Sequence, residues 1–213
     1  MDIQVWSDVV CPWCYLGKHR LEQALHGHPG PVTVTYRAYQ LNPAPVTRPV
    51  PLKAAMAAQF GGPERAEQMF RHVASVAAGD GLTLDFDRAI AANTFDAHRL
   101  IAWAAGQGRQ ATMVDALQRA HFTDGVDIGS RAALARVAAE IGLDEASALA
   151  YLGSTGGVDA VRADITAARE LGITSVPTFV IDGRYAVQGA QEAETLRTAF
   201  AEVARREAVD AGR

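Results

Sequence analysis

The chain has 213 residues, 49% of them hydrophobic, and a formal net charge of −4 at pH 7. That length accommodates one large domain or a domain carrying a sizeable insertion, and the acidic balance, without any basic run, excludes a phosphate backbone as natural partner. No uncharged apolar stretch approaches the roughly 18 residues of a bilayer span. The opening MDIQVWSDVV lacks a basic start, an apolar signal core and a small-residue cleavage site, so a soluble, cytoplasmic protein with no membrane partner is expected.

Residues 2–7 (DIQVWS) mix β-branched and aromatic residues and predict a first strand. Cys11-Pro12-Trp13-Cys14 follows, and then a helical stretch to about residue 26, with Leu16 and Leu21 among its apolar positions. Pro12 suits the start of that helix, where its missing N–H costs nothing. VTVTYRAY, residues 32–39, alternates as a second strand does. Pro43, Pro45, Pro49 and Pro51 make the stretch from Asn42 to Pro51 an extended connection, and hence a boundary.

From residue 52 to 152 the period is helical. Ala66, Met69, Phe70, Val73 and Ala77 recur at three- and four-residue steps, as do Leu134, Val137, Ala138 and Ile141. Asn93 followed by Asp96, and Ser130 before Ala132, read as helix starts, and Gly142 as a stop. The block reads as helices packed on each other, with no internal repeat. After Gly156-Gly157 a further helix carries Val161, Ile165 and Ala168 on one face, with Gly172 at its C-terminal cap. Thr178–Ile181 is then a strand, Asp182-Gly183 a hairpin turn and Tyr185–Gln188 the partner strand. A last helix is predicted over 191–206, with Leu196, Ala199, Phe200 and Val203 inward. Without the block, βαβ followed by αββα remains. This is an α/β chain in the thioredoxin arrangement, residues 1–51 and 153–213, interrupted by an all-helical insertion, residues 52–152.

The chain has two cysteines, three positions apart. A structural disulfide framework would use more cysteines in a smaller chain, so the pair calls for a chemical explanation. Cysteines at i and i+3 around a helix start lie close enough for a disulfide. The first sits where free N–H groups and the helix dipole favour an anion, and thiolate is the form that attacks disulfides. Cys11 is therefore expected to be the exposed attacking thiol and Cys14, one turn in, the shielded resolving one. Asp8 works against the thiolate if its carboxylate lies close to Cys11. Two blander readings exist. Zinc would need four ligands, but no second Cys-x-x-Cys occurs, and His19, His26, His28, His72, His98 and His121 offer no convincing pair. Two unreactive core cysteines are the other. Pro177 heads a strongly β-forming run, so an edge strand or a strand start is expected there, with a cis bond accessible.

Ser7-Asp8, Cys11-Pro12-Trp13-Cys14-Tyr15-Leu16-Gly17, Asn93-Thr94-Phe95 with Ala97-His98-Arg99-Leu100, Ser175-Val176-Pro177-Thr178-Phe179 and Gly189-Ala190-Gln191 occur in this order across nearly the whole chain. In this respect the sequence resembles the FrnE-type branch of the DsbA-like oxidoreductases. The resemblance implies a thioredoxin domain with a helical insertion, dithiol–disulfide exchange, and a cis-proline loop facing the cysteines. In such proteins the backbone before the cis-proline holds the substrate peptide in an extended form, and here that residue is Val176. Pro12 and Trp13 would border the substrate beside the redox pair, while Asn93 and His98 would border a cleft between the two lobes. Their plain alternatives are a helix cap and a packed histidine. The expected partners are thiol- or disulfide-containing proteins or peptides, with glutathione as a further redox partner and a homodimer as an oligomeric option. No cofactor or metal is implied beyond the redox disulfide. The related kappa-class glutathione transferases and 2-hydroxychromene-2-carboxylate isomerases typically carry serine where this chain has Cys11, which makes a glutathione-dependent transferase or isomerase the second reading. A chaperone module using the helical block is a third.

Overall fold

The computed structural model describes residues 1–211. Strands β1 (Asp2–Ser7), β2 (Thr33–Ala38), β3 (Thr178–Ile181) and β4 (Tyr185–Gln188) form one sheet in the order β2-β1-β3-β4. The β1–β2 pair is parallel and the other two pairs are antiparallel. Alternation sorts the side chains to two faces. Ile3, Val5, Tyr36, Phe179 and Ile181 join a core with Leu21 of helix α1 (Pro12–Leu25) and with Leu196, Phe200 and Val203 of helix α9 (Ala193–Ala211). Trp6 and Val180 point the other way, onto Ala168 of helix α8 (Val158–Glu170). The open edge of β2 is closed by side chains. The Gln110 amide bonds both the N–H and the C=O of Tyr36, each at 3.0 Å, and Asp164 accepts from the Ala38 N–H at 3.0 Å. An edge covered in this way cannot template a further strand.

Between β2 and α8 lie helices α2 (Leu52–Ala57), α3 (Pro63–Gly79), α4 (Phe95–Ala105), α5 (Gln110–Arg119), α6 (Arg131–Glu140) and α7 (Glu145–Gly153). Leu100, Met113, Leu117, Leu134 and Leu152 of this block belong to the same core as Ile3 and Phe179 of the sheet. The block therefore shares the core of the sheet. A second cluster of Tyr15, Leu52, Phe70, Phe86 and Phe122 packs it against α1, with the Tyr15 and Phe122 rings stacked at 6.2 Å between centroids. Two buried cations of α1 reach the same way. Lys18 bonds Asp115 at 3.0 Å, and Arg20 is bidentate to Asp80 at 3.0 and 2.8 Å.

The block is less uniformly helical than its periodicity predicts. Residues 80–94 are irregular, because Leu52 and Ala91 N–H groups bond the carbonyls of Ala89 and Val50 and hold this segment against the end of the proline-rich connection. Residues Ala120–Asp124 form a π-helical turn. Helix α4 starts at Phe95, two residues after Asn93, and α9 at Ala193 rather than 191. Ser130 caps α6 as expected, accepting from the Ala133 N–H.

The return from the block to the sheet is fixed by Arg99, 2% exposed. Its guanidinium donates to Asp96 Oδ1 and to the carbonyls of Tyr151, Leu152, Ser154 and Gly156, at 2.6–3.1 Å. Tyr151 and Leu152 lie in the last turn of α7, whose carbonyls lack intrahelical partners, and Ser154 and Gly156 follow it; the Tyr151 carbonyl also accepts from the Ser154 N–H and hydroxyl. Gly157, at φ +71°, makes the turn into α8, where a Cβ would run into the Tyr151 hydroxyl. Replacing Arg99 with methionine keeps the stem and removes every donor. Urea unfolding should show a loss of about 3–5 kcal/mol; a loss below about 1 kcal/mol would mean that water serves these carbonyls equally well.

Candidate functional site

The end of β1 and the start of α1 bring the cysteines together. Cys11 is the N-cap of α1, in extended backbone (φ −91°, ψ 112°), and Pro12 opens the helix. The Cys11 carbonyl accepts from the N–H groups of Cys14 (3.0 Å) and Tyr15 (3.2 Å), and the Cys11 N–H donates to the Asp8 carbonyl at 3.1 Å. Both cysteines are free thiols. The Val176–Pro177 peptide bond is cis, and Cys11 Sγ lies 3.9 Å from the Val176 carbonyl oxygen. Pro177 stands at the head of β3, which is an interior strand of the sheet; the edge position the sequence also allowed is not used.

One expectation is corrected. Cys11 is not an exposed thiol: it is 5% exposed, against 2% for Cys14, because the Val176–Pro177 loop lies over it. Burial pushes the Cys14 thiol well above its ordinary value, and its hydrogen bond to the Cys11 thiol adds to this. The backbone N–H of Asp8 bonds Cys14 and pulls the other way, while the Asp8 carboxylate raises it further. Asp8 therefore acts on the second cysteine of the pair.

Asp8 is 1% exposed and fully engaged. Its Oδ2 accepts from the Leu41 N–H at 2.8 Å, and its Oδ1 lies 3.3 Å from His98 Nε2, which is also 2.9 Å from the Tyr39 carbonyl oxygen. Both neighbours of that nitrogen are acceptors, so Nε2 carries a hydrogen. His98 is 4% exposed, and its ring nitrogen turns to Asp8 and Tyr39 and away from solvent. Asn93 is half-buried; it accepts from the Phe95 N–H at 3.0 Å and donates to the carbonyls of Pro43 and Ala44, both at 3.0 Å. Asn93 and His98 thus hold the segment after β2 in place, one from each end. Trp13 is half-buried, packs on the aromatic cluster of the block and stands 6.2 Å from the His72 ring.

Sequence reasoning did not single out Gln118 and weighed His121 only as a zinc ligand or a packed or surface histidine. Gln118 and His121 are wholly buried, and among the described residues neither end of the amide nor either ring nitrogen finds a partner within the protein. The π-helical turn carrying His121 has no periodic signature in the sequence. Burial pushes the His121 imidazole down to about 4, against a weak upward pull from Asp8. Among the described residues no group of three or more histidine, cysteine or carboxylate side chains is disposed to hold a metal.

With this geometry in view, the matches to known proteins fall on the same ground. Residues 2–201 match the family model of the DSBA-like thioredoxin domain. The chain belongs to this family. The probable DsbA oxidoreductase of Streptomyces coelicolor is 35% identical, with a TM-score of 0.89 over 95% of this chain and 89% of that one. A 2-hydroxychromene-2-carboxylate isomerase shares the fold at 17% identity and TM-score 0.72, over 98% of each chain. The cytosolic disulfide reductase DsbM of Pseudomonas aeruginosa does so at 24% and 0.64, over 97% of this chain and 99% of that one. The DsbA-like thioredoxin fold is thereby established, and the FrnE-type branch is consistent with it.

For a DsbA-like domain, the buried His121 predicts a particular acid sensitivity. The unfolded chain takes up a proton at histidine below its ordinary value of 6.5, whereas the folded chain excludes it down to about 4. Stability should therefore fall as pH drops through that window, by about 3 kcal/mol in full. Urea midpoints measured from about pH 7 to about pH 4 should fall less steeply for His121→Leu than for the parent. Parallel profiles would show that the imidazole is not held neutral.

Proposed function

We propose that this chain is a dithiol–disulfide exchange enzyme acting on proteins or peptides, with Cys11 as the attacking sulfur and Cys14 as the resolving one. The observation that carries the reading is the pairing of an N-cap cysteine, set against the Val176 carbonyl, with a second thiol buried one turn further on. A helix N-terminus favours negative charge at its cap, whereas the burial of Cys14 keeps that thiol protonated. Attack on a substrate disulfide therefore begins at Cys11. Its thiolate displaces one substrate sulfur as thiolate and leaves a Cys11–substrate mixed disulfide. Cys14 then loses its proton, attacks Cys11 Sγ and expels the second substrate sulfur, closing the Cys11–Cys14 disulfide. Run backwards, the same steps oxidise a substrate dithiol, and the direction follows the relative potentials.

Pro12 and Trp13 border the attacking sulfur, and Val176 and Pro177 supply the backbone along which an extended substrate lies. Asn93 and His98 contribute through the segment they hold and through Asp8. The cysteines carry the electrons, so no cofactor or metal takes part. Glutathione is a candidate recycling partner, supported by the DsbM neighbour, whose structure has also been solved with glutathione. A cytoplasmic setting is supported by the cytosolic description of that neighbour. Among the described residues no helix is long and apolar enough to cross a membrane.

Cys14→Ser should trap substrate, because no second thiol remains to expel it. With a disulfide-bonded peptide, Cys14→Ser should accumulate an adduct on non-reducing gels that Cys11→Ser lacks. Equal patterns from both variants would sink the two-cysteine mechanism. Glutathione conjugation surviving both replacements would instead favour a transferase.

A further inference from the structure

Gly17 is a glycine in the interior of α1, one turn beyond Cys14, in a position that local helix propensity disfavours. A Cβ there would lie 2.7 Å from Cγ of Pro177, 3.4 Å from its Cβ and 3.4 Å from Cζ of Phe179. The proline ring thus rests directly on the backbone of the redox helix. Re-puckering is the ring's one freedom, and the 2.7 Å approach to Cγ is closer than real Cβ contacts come.

The far side of the loop does not yield. The Pro177 carbonyl accepts from the Gly189 N–H at 2.8 Å, and the Thr178 hydroxyl donates to the Ser175 carbonyl at 2.7 Å. Thr178 pairs with Trp6 on one side and Gln188 on the other, and Phe179 is wholly buried. The corner that carries Gly189 is itself tied back to α1 through Arg20, which donates to the Ala190 carbonyl at 2.7 Å. A methyl group at position 17 must therefore open the gap between α1 and the loop. The contact of Cys11 Sγ with the Val176 carbonyl spans that same gap.

We propose that Gly17 is a positioning residue: it sets the separation between the redox helix and the Val176–Pro177 loop, and so the width of the slot in which an extended substrate presents its disulfide to Cys11. This rests on the exchange reading above. It gives glycine at this position a reason in contact geometry, since alanine would be better for the helix.

The test is a double-mutant cycle of Gly17→Ala and Pro177→Ala, with Ala24→Gly as a control that loosens α1 away from the loop. Exchange with a disulfide-bonded peptide is compared with alkylation of Cys11 by iodoacetamide, which needs the sulfur but not the docking backbone. Gly17→Ala should lower kcat/KM for the peptide by about tenfold or more, mostly through KM, with alkylation unchanged or faster. Ala24→Gly should spare exchange even where its Tm falls as far. In the Pro177→Ala background the atom that clashes is gone, so adding Gly17→Ala should cost little more. Strict additivity of the two substitutions, or exchange losses that follow Tm alike in Gly17→Ala and Ala24→Gly, would overturn the proposal. A parent protein that exchanges no disulfide would count against the exchange reading. The positioning role would then be decided by a crystal structure of Gly17→Ala, where a Cys11 Sγ–Val176 O distance still at 3.9 Å refutes it.

Discussion

A buried carboxylate has to be bonded on every side, and that requirement organises this molecule around Asp8. Leaving such a charge unpaired would cost several kcal/mol. Its oxygens take the Leu41 N–H from the segment after β2 and face His98 from the inserted block, its own carbonyl takes the Cys11 N–H, and its N–H meets Cys14. One residue at the end of β1 thereby ties together the sheet, the chain leaving it, helix α4 of the inserted block and both thiols. Misplacing any one of these elements would strand a charge or a polar group in the interior. The geometry of the cysteine pair is thus over-determined by polar satisfaction as well as by apolar packing.

The inserted block reads differently in this light. It meets α1 through the stacked Tyr15 and Phe122 rings, through Lys18–Asp115 and through Arg20–Asp80. Arg20 and Lys18 are almost wholly covered in these pairs, and a cation deprived of its partner there is far more costly than one at the surface. The block thus fixes the outward side of the helix that carries the redox pair, while the Pro177 ring fixes its inward side through Gly17. Helix α1 has little freedom between the two, and the pre-organisation of Cys11 follows from that clamp.

Much of this was legible in the sequence where one signal dominates. The period-2 runs at 2–7 and 32–39, the Asp182-Gly183 turn and the Cys-Pro-Trp-Cys helix start are local, so each was readable in place, and their order then implied the sheet. What escaped was set by tertiary contact. The 80–94 segment is irregular because its backbone pairs with Val50 and Leu52, about 40 positions earlier. The π-helical turn at Ala120–Asp124 has no pattern of its own. Asn93 and His98 were expected to border a cleft, with a helix cap and a packed histidine as their plain alternatives. That their bonds converge on the segment between Tyr39 and Ala44 was not legible, because their partners lie about fifty residues away. Cys11 was expected to be exposed because a helix start usually meets solvent. The loop covering it arrives from residue 176, which no local rule could supply.

That cover changes what selectivity means at this site. If the chain exchanges disulfides as proposed, then with both thiols buried its reactivity depends less on intrinsic nucleophilicity than on whether the partner can bring its sulfur to Cys11 past the Val176 carbonyl. Within the exchange reading a small reagent needs only room, whereas a peptide must also lie extended along the loop, with side chains meeting Trp13 on one flank. The wall behind Trp13 is the aromatic cluster formed by Phe70, Phe86 and Phe122 of the inserted block with Tyr15 of α1, against which Trp13 packs. Within the exchange reading, the breadth of acceptable substrates is therefore governed by two rigid boundaries, the Pro177 loop and the block. Any change that loosens either should broaden access to Cys11 while weakening the alignment that makes exchange fast.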